Sequence, residues 1–340
     1  MSSPCHETVS LDELSSVFRI DLHDRRQVAA RFPFRLSRYY ADLITAPDDP
    51  VWRQAVPAVQ ELFDVAQSPD PLHEERLSAV PGLIHRYPDR AVLLVGTQCA
   101  VYCRFCLRKR SIGCGIDSID ADQALDYIAA TPALRDIVIS GGDPLLLPHD
   151  TLHALLTRLR KIPHVEIIRI GSRLPVTDPG RITPQLCRML AEHHPLYLNT
   201  HFNHPVELTP QAAQACKLLA DVGIVLGNQT VLLRGVNDDG TVLQELFSGL
   251  LRFRVRPYYL HQMDLVQGTA HFRTPLHRGM ELVAGLRGQV SGMAIPHFMV
   301  DLPEGKGKVP LLEETARQEG EGEWRIRTSS GQLVTYRDPP

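Results

Sequence analysis

From residue 91 onward the chain alternates short apolar runs with longer stretches of helical periodicity. The runs Ala91–Val95, Asp136–Ser140, Val165–Ile170, Pro195–His201, Ile224–Val231 and Val255–His261 are largely apolar. That is expected of strands buried on both faces of a parallel sheet. Between them, 120–130, Thr151–Lys161, Thr183–Glu192, Pro210–Val222 and Thr241–Arg252 gather their apolar residues on one helical face. This repeat predicts an α/β fold, either a parallel barrel or an open sheet, with its site at the C-terminal ends of the strands. A last apolar run, Met293–Val300, leads into Asp301-Leu-Pro-Glu-Gly-Lys-Gly-Lys-Val-Pro310, and Trp324–Tyr336 reads as a hairpin around Ser-Gly. Residues 1–90 mix charged and apolar positions in Leu11–Phe18, Asp24–Phe32 and Trp52–Ala66, with proline-rich breaks between them. The expectation is a helical extension over 1–90, a β/α body over 91–300 and a lysine loop with a tail over 301–340.

Composition narrows the function. A hydrophobic content of 44% supports a sizeable core, and a formal charge of −3 gives no electrostatic case for nucleic acid or an anionic membrane. No apolar run is long enough to span a bilayer. The N-terminus MSSPCHETVSLDELSS has no basic region followed by an apolar one, so no signal peptide is expected. Cys5, Cys114, Cys187 and Cys216 show no disulfide framework spacing, which points to a reducing cytoplasm.

The other three cysteines fall within eight residues, Cys99-Ala-Val-Tyr-Cys103-Arg-Phe-Cys106. A pair at this spacing alone would suit zinc or thiol redox chemistry. Three thiolates without a fourth Cys or His at zinc spacing can instead hold three irons of a [4Fe–4S] cube and leave the fourth open. The C-x₃-C-x₂-C spacing, with Phe105 before the last cysteine, resembles the cluster loop of the radical S-adenosylmethionine (SAM) enzymes. One strand later comes Gly141-Gly142-Asp143-Pro144. The glycines allow close approach to the backbone, and Asp143 can accept from an ammonium. In that place the motif resembles the radical SAM site for the methionine amino group.

The segment Asp301-x-Pro-x-Gly-x-Gly-Lys308-x-Pro310 resembles the pyridoxal-phosphate (PLP) lysine segment of the lysine 2,3-aminomutase family. So do His85–Arg90, Asn199–Pro205, Leu226–Asn237, Arg256–Tyr259 and His271–Pro275, in the family's order. The resemblance covers about residues 40–338. It implies a partial (β/α)6-type radical SAM barrel, a [4Fe–4S] cluster on Cys99, Cys103 and Cys106, SAM, and PLP on Lys308. By position it assigns Arg108 to the substrate carboxylate, and Asp264 and Asp301 to the ε-ammonium of L-lysine. Arg86 and Arg90 become phosphate anchors, and Gly142, Asp143, Arg173, His201 and Gln229 become SAM contacts. His204 reads equally well as a polar cap. The implied reaction interconverts L-α-lysine and β-lysine by a 1,2-amino shift, with flavodoxin or ferredoxin as electron donor and a homo-oligomeric assembly. The same chemistry on arginine, ornithine or glutamate is the alternative, as is supply of β-lysine for modifying elongation factor P; a non-catalytic iron–sulfur protein is the remote one. Longer family members carry a zinc site from an internal cysteine and C-terminal cysteines. Here Asp239 stands at the internal position and no such cysteines follow, so no zinc is expected.

Overall fold

A computed structural model describes residues 7–337, apart from 65–66, 115–120, 313–314, 321–322 and 329–330. Cys5 and the first residue of the helix expected from residue 120 lie outside the described residues. Ten strands form one sheet in sequence order. They are β1 (Ser78–Val80), β2 (Leu83–Tyr87), β3 (Arg90–Leu94), β4 (Asp136–Ser140), β5 (Ile167–Gly171), β6 (Leu196–Thr200), β7 (Val225–Leu232), β8 (Val255–Gln262), β9 (His297–Leu302) and β10 (Gly307–Pro310). Every pairing from β3 through β9 is parallel, and the pairings at either end are antiparallel.

Each parallel crossover carries a helix: Asp122–Ala129, His149–Arg160, Pro184–Ala191, Pro210–Asp221, Gly240–Arg252 and Leu276–Leu286. Their starts follow from local chemistry. Thr183 and Thr209 accept from the backbone N–H three residues on, and Asp239 from Thr241 and Val242, each satisfying donors that an α-helix leaves orphaned. Asp239 is therefore a helix cap. Strand and helix faces bury one continuous core, including Leu93, Ile137, Ile168, Leu198, Leu226 and Leu260 of successive strands.

The region before residue 90 is not wholly helical. Helices Leu11–Phe18, His23–Arg31, Arg38–Ala41, Pro50–Ala55 and Gln60–Phe63 occupy its first two thirds, but β1 and β2 then extend the sheet. The periodicity expected over Trp52–Ala66 breaks at Val56-Pro57, because proline cannot donate into the helix. At the other end β10 turns back on β9. Glu304, Gly305 and Gly307 all have positive φ (62°, 73° and 114°) in this turn, so the Gly-Lys-Gly-Lys pattern is first a turn requirement. The tail is a separate three-stranded antiparallel sheet, with β12 (Glu323–Arg327) between β11 (Ala316–Gly320) and β13 (Leu333–Arg337); β12 and β13 are the expected hairpin.

The ten-stranded sheet is open, yet its ends approach one another. The Glu304 N–H donates to the Pro71 carbonyl at 2.8 Å, and the Lys308 N–H to the Tyr87 hydroxyl at 2.8 Å. The second contact joins β10 to β2, and the first joins the turn before β10 to the chain before β1; both require a sheet curled into a partial barrel, which gathers the strand C-termini around one mouth.

Two loops at that mouth are locked backbone to backbone. The Gly142 N–H donates to the Gly96 carbonyl at 2.6 Å and the Asp143 N–H to the Gln98 carbonyl at 2.7 Å. A Cβ on Gly142 would lie 2.2 Å from the Gln98 oxygen. Gly142→Ala is therefore expected to destabilise the protein by about 1–3 kcal/mol, since backbone on both sides must shift. Gly285→Ala, where nothing lies within 4 Å of the new Cβ, should instead gain about 0.5–1 kcal/mol of helix stability. Denaturation midpoints check both; coincident midpoints for the two variants would contradict this packing.

Candidate active site

The cysteine loop leaves the end of β3 and is held by its surroundings rather than by regular structure. The Tyr102 N–H donates to the Arg35 carbonyl at 3.0 Å and the Arg104 N–H to the Gln54 carbonyl at 2.8 Å. The Arg104 side chain turns inward and is 1% exposed. It forks onto Glu61 at 2.6 and 3.0 Å, and Lys109 reaches the same carboxylate at 2.6 Å. Burial works against the Glu61 carboxylate, but the two cations hold its pKa below the ordinary value. The N-terminal extension thus supplies the counter-charge that anchors the loop. Phe105 is buried edge-on against Phe272. The three thiols remain free and partly accessible. Burial pushes Cys106 up to about 11 and Cys99 well above its usual value. Three soft donors in one pinned loop suit a thiophilic metal cluster, whose charge would displace those protons.

Asp143 and Arg173 are engaged within the chain. The Asp143 carboxylate accepts from the Ser172 hydroxyl at 2.7 Å and from the N–H groups of Leu145, Arg173 and Leu174 at 3.1, 2.8 and 3.1 Å. Burial nevertheless pushes it up to about 6. It ties the β4 loop to the β5 loop. Arg173 donates to the His201 carbonyl, the Cys103 sulfur (2.9 Å), Tyr40, Gln54 and Glu207 (2.8 Å). Glu207 is 0% exposed and also accepts from Gln54 and the N–H groups of Asn203 and His204. This hub joins the cysteine loop, the N-terminal extension and the β6 loop. His204 caps the turn Pro205–Glu207 through its Nδ1, which accepts from Val206. Among the described residues the His201 ring has no such partner; burial and the nearby cations push it down to about 3, so it is a neutral imidazole.

Across the mouth, Lys308 on β10 stands directly opposite Asp301 on β9. Its Nζ donates to Asp301 Oδ2 at 2.5 Å and to His261 Nδ1 at 3.0 Å. Asp301 Oδ1 accepts from Arg86 Nη1 at 3.4 Å. Arg86 Nε and Nη2 are buried with no hydrogen-bond partner. Two orphaned guanidinium nitrogens beside a lysine are a ready anion seat, so these residues fit a carbonyl cofactor bearing a phosphate. Arg90 is placed differently: it lies over the Tyr87 ring, 42% of its side chain is exposed, and it pairs with Asp89. Asp264 follows β8. Burial, then Asp301 and more weakly Glu74, push it up to about 7 against the opposing pull of Lys308 and Arg86.

Glu74 was not legible as a site residue. It takes Arg108 side-on, accepting from Nε at 3.0 Å and Nη2 at 2.8 Å, while Nη1 donates to the Ser140 hydroxyl at 3.2 Å. That pairing leaves one N–H on each terminal nitrogen, the end-on fork that a second carboxylate can use. Glu61, Glu74 and Glu207 share one property that sequence does not display: each is a single glutamate whose cationic partner lies more than thirty residues away. The Pro-x-Glu cap at 205–207 was the only local hint.

Thiols at the end of the first parallel strand, locked to a Gly-Gly-Asp turn at the end of the second, define a radical SAM enzyme. The radical SAM superfamily model matches residues 93–244, and the lysine-2,3-aminomutase model matches residues 283–340. The L-lysine 2,3-aminomutase of Fusobacterium nucleatum is 49% identical over 89% of this chain and 73% of that protein. That of Clostridium subterminale is 50% identical over 89% of this chain and 74% of that one. The glutamate 2,3-aminomutase of Clostridioides difficile is 40% identical over 97% and 80%. The chain belongs to the lysine 2,3-aminomutase family. Its cofactors are therefore the [4Fe–4S] cluster, SAM and PLP.

Anaerobic reconstitution is expected to load about four irons per chain. Cys103→Ala should lose the iron and SAM cleavage while unfolding at nearly the wild-type temperature, because the loop is anchored by Arg104 and Lys109. Full SAM cleavage in that variant would contradict the cluster assignment.

Proposed function

We propose that this protein interconverts L-α-lysine and β-lysine by moving the amino group between adjacent carbons. The observation that carries the reading is the pair of carboxylates, Asp264 and Asp301, beside the Lys308 ammonium. A cation taken out of water must be paired, and two carboxylates in a largely enclosed pocket invite one. In the ligand-free chain Lys308 supplies it. With Lys308 turned toward the PLP it would hold and out of this pocket, the ε-ammonium of lysine fits the same place. Arg108 would take the substrate carboxylate on its end-on fork, with Glu74 fixing the guanidinium plane. A glutamate substrate would need cations where Asp264 and Asp301 stand, which disfavours that alternative.

When bound, the cluster with SAM supplies one-electron cleavage and hydrogen abstraction, and PLP supplies the carbonyl that carries the migrating nitrogen. The protein's own residues hold and orient. Cys99, Cys103 and Cys106 would hold the cluster and Lys308 the PLP carbon. Arg86 would receive the phosphate, with Arg90 at the rim. His201 and Gln229 line the side facing SAM, while Gly142, Asp143 and Arg173 set the loops around it. The half-buried thiols call for a reducing compartment, and we place the protein in the cytoplasm; none of its described helices is long and apolar enough to cross a membrane. A flavodoxin or ferredoxin would deliver the electron. Exposed Leu333, Val334 and Tyr336 on the tail sheet suit assembly with a second copy.

The test is the ratio of lysine to alanine turnover. Asp264→Ala leaves the ε-ammonium poorly paired at a cost of about 2–5 kcal/mol, about 30- to 3,000-fold against lysine. Alanine has no ε-ammonium, so its turnover should gain relative to that of lysine, with iron and PLP content unchanged. A pH dependence follows with a definite sign. The Asp264 carboxyl titrates at about 7 in the ligand-free chain, and lysine needs it ionised. Lysine affinity relative to alanine should therefore rise with pH, by up to about tenfold per unit below that value, and level off above it. An unchanged ratio in the variant would contradict the lysine reading.

A further inference from the structure

His261 hydrogen-bonds the Lys308 ammonium, and the reading above gives it no role. It sits on β8, 12% exposed, with Nδ1 at 3.0 Å from Lys308 Nζ and 3.8 Å from Asp301 Oδ2. Its other nitrogen is 3.2 Å from Gln229 Oε1 on the neighbouring strand β7. The amide oxygen can only accept, so Nε2 carries the hydrogen and Nδ1 presents its lone pair to the ammonium. The groups facing the ring are Lys308 and Asp301 from the β9–β10 hairpin, His201 from the β6 loop, Gln229 from β7 and Tyr259 from β8. Burial, then Lys308 and His201, keeps this imidazole neutral. It is thus a fixed acceptor and a poor proton store. The ring of Tyr259, 5.6 Å from Nζ, adds an aromatic face to the same seat.

The seat therefore has a carboxylate, an oriented neutral acceptor and an aromatic ring, all directed at one primary ammonium. In the ligand-free chain Lys308 fills it. We propose that His261, held in one tautomer by Gln229, is a specificity-determining residue that accepts a hydrogen bond from the distal ammonium of the substrate once Lys308 has vacated the seat. This rests on the lysine reading above. It gives Gln229 a second task, fixing the ring, beside the SAM contact assigned to it. Carboxylates attract any cation, whereas a single lone pair at a fixed place favours an N–H donor at that spot.

The test uses the full chain loaded with PLP, without SAM, titrated with L-lysine and with L-alanine and followed by visible absorbance. His261→Phe removes the acceptor and should weaken lysine about ten- to a hundredfold, the range for a hydrogen bond to a charged group, while leaving alanine unchanged. His261→Asn keeps an acceptor and should hold lysine to within a few fold of wild type. Gln229→Glu places an anion at Nε2, so the ring gains a proton near neutral pH and can no longer accept. Lysine binding should then fall at neutral pH and return as pH rises, with alanine again unmoved. Equal losses for lysine and alanine, or no loss in His261→Phe, would overturn the proposal. Borohydride treatment of the loaded wild type separates the two readings. If the peptide containing Lys308 carries no label, the reading of Lys308 fails; if it carries the label and the lysine-to-alanine ratio is unmoved, only the role of His261 fails.

Discussion

The site depends on keeping one partly buried lysine ammonium paired. Lys308 meets Asp301 because β10 folds back on β9 in a register that places the two opposite each other. That register rests on a turn only glycine tolerates well at Gly305 and Gly307. It also rests on β2, whose Tyr87 receives the Lys308 N–H and whose Arg86 reaches the other oxygen of Asp301. Pairing one charge therefore ties together the two ends of an open sheet, and the curl that results brings the strand C-termini to a common mouth.

The same constraint governs the opposite side of the mouth. The cysteine loop has no regular structure to stiffen it, and buried ions do so instead: Arg104 and Lys109 on Glu61, and Arg173 on Glu207. Removing a single partner from such a group costs about 3–5 kcal/mol, because a buried charge is left alone. These networks carry the N-terminal extension onto the barrel. Its helices would otherwise be too short to persist; here Glu61, Gln54 and Tyr40 turn them into part of the cluster loop's support.

Much of this was legible in the sequence for a physical reason. Strands buried on two faces must be apolar throughout, so β3 to β8 stand out as runs, and thiols at close spacing have few structural uses. The strands that were not legible are those whose composition serves the site. β2 reads Leu-Ile-His-Arg-Tyr, two apolar residues followed by three polar ones, of which Arg86 and Tyr87 reach Asp301 and Lys308 while His85 bonds Tyr127 on a crossover helix, and β10 is interrupted by glycine and proline. The resemblance to a known family singles out Asp143 and Arg173 as SAM contacts; in the structure their bonds are to this chain's own loops. Glu61, Glu74 and Glu207 carried no local signal, since a counter-ion is defined by what the fold brings to it. His261 was missed because one histidine after an aromatic pair has no distinguishing pattern.

Around the mouth the chain can divide the labour. Thiols and neutral histidine lie on one side, and carboxylates with orphaned guanidinium nitrogens on the other. The central claim is that nitrogen moves from one carbon of lysine to the next within this space. Anaerobically reconstituted protein given L-lysine labelled with ¹⁵N on its α-amino group tests it most directly. The expected product is β-lysine with the label on carbon 3 and the ε-nitrogen unlabelled. SAM cleavage with the label still on carbon 2, or β-lysine whose label has exchanged with the medium, would contradict it.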